Sequence, residues 1–205
     1  MLILFFPIKE VLQGNRNWII MAAAIFCGST LYFYYTTNPT SLAGNELLDQ
    51  QLTILGDLLE LILESHPLAA AMLLFMNNFF TMVQMLLLGF LAGLSPLFTL
   101  GVNGALLGMI LSAGTAENIS VAAIIIFGIL PHGIFELSAF LICGSLGLKF
   151  GYHCIASPLP DRSRLESFRF IWKESISVLP LVVILLLIAA LVEIFITPAA
   201  LRLIL

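Results

Sequence analysis

Apolar runs, most of them close to or above the ~20 residues that cross a bilayer as a helix, alternate along the chain with short polar breaks. The first, from about Asn17 to Tyr35, carries Trp18 at one end and Tyr32, Tyr34 and Tyr35 at the other, where interfacial aromatics belong. A second starts after Pro67 and reads through to about Gly93, long enough to tilt or to extend past the bilayer. Ser95, Pro96 and Gly101 predict a tight turn over Leu94–Gly101. The segment that follows, Val102–Ala113, is short for a crossing, so either it begins near Leu97 or it is incomplete. After a polar break at Gly114–Asn118, the apolar run from Ile119 to Leu148 is interrupted by Pro131, which lacks an amide hydrogen and disfavours helix at the residue before it. The run is therefore predicted to split into a half-helix or re-entrant arm, Ile119–Leu130, and a spanning piece, Pro131–Phe150, with Pro131 in its first turn. A last span covers about Ser175 to Ile196.

Between Thr36 and His66 the pattern changes. Leu47, Leu48, Leu52, Leu55, Leu58, Leu59, Ile62 and Leu63 recur at helical spacing, while Glu46, Asp49, Asp57, Glu60 and Glu64 supply acid with no Lys or Arg. This predicts an amphipathic helix outside the bilayer, its acidic face turned to water or to a partner. The expected architecture is an all-α polytopic helical membrane protein, a single domain over residues 1–205, with about five spans, a broken or re-entrant helix at Pro131 and an extracytoplasmic amphipathic insert over 36–66.

Composition agrees: 60% of residues are hydrophobic and only 10% charged, which no soluble core of 205 residues could absorb. The net charge of -4 carries no basic excess and so no sign of a nucleic-acid partner. Charge distribution says more. Lys9 and Arg16 before the first span place the N-terminus in the cytoplasm, and Lys149, Arg162, Arg164, Arg169 and Lys173 mark a basic cytoplasmic loop over 152–174, leaving the C-terminus outside. That loop is either a topology signal or a contact for anionic lipid or a partner. The first span, with an apolar core of about 19 residues, exceeds the roughly 7 to 15 of a signal-peptide core and reads as an anchor. Cys27, Cys143 and Cys154 show no CxxC spacing and predict no structural disulfide.

Chemistry enters with His132 and Glu136, four residues apart and therefore on one helix face within an apolar run. An acid at the bilayer centre costs roughly 2.5 to 3.5 kcal/mol on insertion scales, so such a residue turns to a protein interior or a wet cavity and marks a site. The pair could hold a metal ion, hold a proton, or bind only each other; no cofactor is named by the residues, and no HExxH accompanies them. Asn77, Asn78 and Asn103 are the amides expected to join His132 and Glu136 in one polar cluster beside the helix break at Pro131 and Gly133, since an isolated polar group in hydrocarbon is costly. Their other reading is hydrogen-bond glue between helices. Gly89 and Gly93, Gly104 and Gly108, and Gly147 and Gly151 form three small-xxx-small pairs that allow close helix approach.

Taken in order, Asn77-Asn78, Gly89 and Gly93, Asn103-Gly104 with Gly108, the run Pro131-His132-Gly133 leading to Glu136, and then Gly144 and Gly147, the pattern resembles the stage II sporulation protein M family over roughly Ala69 to Gly151. The resemblance implies a multi-pass plasma-membrane protein which, in spore-forming bacteria, belongs to a peptidoglycan-remodelling complex needed for engulfment. Members also occur outside spore formers, including in archaea. It brings no catalytic residues with it. The favoured expectation is a non-enzymatic membrane scaffold or assembly component, in contact with lipid and with further copies of itself or other membrane proteins. The alternatives are a small transporter or permease-like subunit with a cavity at the Pro131 break and, less favoured, an intramembrane enzyme using Glu136 or a metal, against which a carboxylate pair within the membrane is absent unless Glu193 approaches from the last span.

Overall fold

A computed structural model describes residues 6–38 and 66–201. The acidic insert predicted over 36–66 falls almost wholly outside the described residues. Five helices are long and apolar enough to cross a membrane, and among the described residues there is no strand. The chain is an all-α, multi-pass membrane protein.

A short helix α1, Ile8–Gly14, precedes the first span, α2, Arg16–Thr36. Helix α3, Pro67–Leu87, starts with proline in its first turn, where the missing N–H is no loss, and the His66 ring accepts the Leu68 N–H at 3.3 Å. A 3-10 turn, Leu88–Phe90, ends it, and the chain reverses through Ala92 and Gly93, both with positive φ, into α4, Leu94–Ala116. Helix α5, Val121–Ile155, begins at Ser120, whose hydroxyl accepts the Ala123 N–H at 3.2 Å. Helix α6, Arg164–Phe195, opens on a capping box formed by Ser163 and Glu166 and runs unbroken through Pro180. A final turn, α7, spans Thr197–Leu201.

Three sequence expectations change. The turn predicted over Leu94–Gly101 lies earlier, at Leu91–Gly93, because Pro96 sits in the first turn of α4, where helices accept proline. The short segment Val102–Ala113 is accordingly the inner part of a helix long enough to span. At Pro131 the chain neither breaks nor re-enters: Ile124–Ile129 adopts a π-helix that passes into regular α-helix at Leu130. Widening the turn ahead of a proline relieves the clash of its ring with the preceding carbonyls without ending the helix. The basic loop predicted over 152–174 is helical at both ends, leaving residues 156–163 as the connection.

Packing centres on α5 and α6, an antiparallel pair joined by that connection, with α3 laid against both. Met82, Met85, Leu100, Cys143, Leu146, Val178, Val182 and Leu186 fill the core. Glycines set the spacing. Gly104 and Gly108 of α4 lie against the α2 backbone, where a Cβ on Gly104 would stand 2.5 Å from the Phe26 carbonyl oxygen. Gly89 and Gly93 of the α3–α4 reversal meet Gly147 and Gly151 of α5, backbone against backbone. All three small-xxx-small pairs are thus used within one chain. Phe80, Phe98, Ile134 and Ile184 remain exposed on the outer surface, as lipid-facing residues should.

Candidate functional site

The π-helical turn sets the face on which the next residues project. From the following α-helical turns, His132 and Glu136 point toward the end of α6 and the start of α7. There they meet Glu193. One ligand atom from each, a ring nitrogen of His132 and a carboxylate oxygen of Glu136 and of Glu193, all lie within 4.8 Å of one another. The three side chains are half-buried. The His132 Nδ1 lies 3.2 Å from the Thr197 hydroxyl, which is itself buried and donates to the Val192 carbonyl at 3.3 Å. A hydroxyl has one proton to give, so while Thr197 donates to Val192 it accepts from His132, the arrangement in which Nδ1 carries the proton and the Nε2 lone pair is free.

Two carboxylates and an imidazole in apolar surroundings need compensating positive charge. Among the described residues no Lys or Arg is paired with them, the one ion pair there being Lys149–Glu174. That pair lies on the same two helices, 13 to 17 residues away along α5 and 19 along α6, or roughly 20 to 28 Å at 1.5 Å per residue. The two polar groups are therefore well separated along the helix pair. The trio can share protons or hold a cation, with His132, Glu136 and Glu193 as its ligands.

The asparagines do something else. Asn77 and Asn103 are exposed, and their hydrogen bonds are local: Asn77 Nδ2 to Asn78 Oδ1 at 3.5 Å, and Asn103 Nδ2 to the Thr99 carbonyl at 2.8 Å. Asn78 is half-buried. The structure therefore brings together His132 and Glu136 of the expected cluster and completes the set with Glu193, and it adds Thr197, which sequence reasoning missed. Pro131 and Gly133 flank His132, and a Cβ on Gly133 would lie 3.2 Å from Ile129 Cγ2, at the end of the π-helix.

The family model for stage II sporulation protein M matches residues 20–198 of the chain. The chain belongs to the stage II sporulation protein M family. The match takes in every spanning helix and ends just past Glu193 and Thr197. The chain is also similar to two uncharacterized proteins of Methanocaldococcus jannaschii. One is 25% identical over 195 residues, covering 92% of this chain and 86% of the relative. The other is 33% identical over 122 residues, covering 60% of this chain and 67% of the relative. No solved structure matches.

Proposed function

We propose that this family member is a non-enzymatic membrane assembly component that pairs with a second copy of itself through the outer face of α3. The observation that carries the reading is a polar stripe in the middle of a membrane span. Asn77, Thr81 and Gln84 follow one another at spacings of four and three, which puts them on one side of the helix, and Asn77 and Gln84 are exposed there. An amide turned to lipid leaves donors and acceptors unpaired, and membrane helices satisfy such groups on one another. A carboxamide both donates and accepts, so a two-fold copy of the same stripe satisfies each amide with its own kind. The Met76 and Phe80 side chains beside the stripe are exposed and supply apolar contact. The internal use of all three glycine pairs favours a rigid unit over a rocking carrier. In this reading the N-terminus is cytoplasmic and the C-terminus outside, following Lys9, Arg16 and the basic connection around Arg162.

The test is oxidative cross-linking in native membranes of Asn77→Cys, in a chain whose Cys27, Cys143 and Cys154 have been replaced by serine. A disulfide-linked dimer is expected from Asn77→Cys and not from Ile184→Cys, an exposed position on α6. A chain that stays monomeric, or one that dimerises equally well through Ile184→Cys, would overturn the pairing.

A further inference from the structure

The geometry points to a divalent transition-metal site formed by His132, Glu136 and Glu193, one that clasps α5 to the C-terminal end of α6. Two observations converge on it. The ligand atoms come from two different helices yet lie within 4.8 Å of one another. In a tetrahedral zinc site, bonds of about 2.0 to 2.2 Å place ligand atoms about 3.4 Å apart, so small side-chain rotations close the set around an ion. Thr197 holds His132 by Nδ1, the kind of outer hydrogen bond that orients a metal-ligating imidazole and leaves its other nitrogen free to bind.

Charge favours an ion over the alternatives. Two carboxylates, a neutral imidazole and a divalent cation sum to zero, which suits an apolar setting where, among the described residues, no Lys or Arg pairs with the carboxylates. One imidazole with two carboxylates is a donor set for zinc, manganese or ferrous iron, and three protein ligands leave a position for water. The adjoining π-helix contributes as well. Such turns are frequent at functional sites, and this one delivers His132 to the partner helix.

The probe is Co2+ alone, added to the purified, chelator-treated full chain in detergent and followed by its visible absorption and by the shift in melting temperature. One Co2+ per chain, a tetrahedral or five-coordinate spectrum and a rise in melting temperature are expected, with Zn2+ displacing the colour. Glu193→Gln and Glu136→Gln should weaken binding more than the outer-ligand change Thr197→Val, for which a loss of roughly 10- to 100-fold is expected. Glu193→Asp, which keeps the carboxylate, should retain part of the binding if Glu193→Gln fails to fold. A folded wild-type chain that binds no Co2+, or a Glu193→Gln chain that binds it as well as wild type, would overturn the site. So would an infrared carboxylic-acid signal that disappears in Glu193→Gln yet persists unchanged in wild type under saturating Zn2+, the mark of carboxylates that share a proton instead.

Discussion

Lys149 Nζ and Glu174 Oε2 are 2.6 Å apart between α5 and α6, with their side chains only 7% and 6% exposed. Asn15 completes the group: its Nδ2 donates to Glu174 Oε1 at 3.0 Å and to the Val11 carbonyl at 2.7 Å. A residue that reads in the sequence as one more topology-setting lysine is thus the centre of a buried network. The network ties the N-terminal α1–α2 junction to the last span, with the Phe6 N–H donating to Ser177 Oγ at 2.9 Å beside it.

Breaking such a pair leaves one charge buried without its partner. Lys149→Met should therefore cost about 3 to 5 kcal/mol, whereas Lys149→Met with Glu174→Leu should recover most of that loss, because replacing both charges removes the desolvation penalty with them. Denaturant unfolding of the four members of this cycle in detergent gives the comparison. A loss in the double variant equal to the sum of the two single losses would mean that the charges act independently.

The glycine contacts make a second forecast. A Cβ on Gly147 would stand 2.5 Å from the Met85 carbonyl oxygen and 3.0 Å from Pro96 Cγ, so Gly147→Ala must push α3 and α4 away from α5. A loss of about 1 to 3 kcal/mol is expected. Gly101, also within a helix, has nothing within 4 Å of its would-be Cβ, and Gly101→Ala should gain about 0.5 to 1 kcal/mol through helix propensity. Melting temperatures of the two variants should move in opposite directions.

These cases also divide what the sequence discloses from what it does not. Spans announce themselves through length and apolarity, and the i,i+4 spacing of His132 and Glu136 places both on one face, since both signals are local. Glu193 and Thr197 lie about sixty residues further on, and only the antiparallel packing of α5 on α6 brings them to His132; a lone acid late in the last run was the sole hint. Asn77 misled because a polar residue in a span reads the same whether it faces its own bundle or a neighbour's. Pro131 misled because a proline breaks a helix only where the backbone cannot widen, and six residues of π-helix supply that widening here.

The acidic stretch over 36–66 has its own consequence for topology. In the proposed orientation, with five spans and the N-terminus inside, the segment between α2 and α3 and the C-terminus would share the outer side, and the 156–163 connection with Arg162 would lie inside. Cysteines placed at Asp57, Glu60 and Glu64 should react with an impermeant maleimide added to intact cells, and a cysteine at Arg162 should react only after the membrane is opened. The reverse pattern would invert the orientation.

Pro131 supplies the last forecast. An interior proline usually costs a helix about 3 kcal/mol, through the lost hydrogen bond and the collision of its ring with the carbonyl one turn back. In this chain the π-helix of Ile124–Ile129 ends just before Leu130–Pro131, so the colliding carbonyls are already displaced and most of that cost has been relieved. Pro131→Ala should accordingly raise stability by about 1 kcal/mol or less, well short of the full proline penalty. Restoring the amide also allows the segment to tighten into α-helix, which would turn the residues before it by about 100° relative to those after it. His132, on the far side of that junction, would then lose its register with Thr197 and Glu193. The variant should therefore be as stable as wild type while binding Co2+ more weakly. A gain of the whole ~3 kcal/mol would mean that the π-helix relieves nothing and has some other origin.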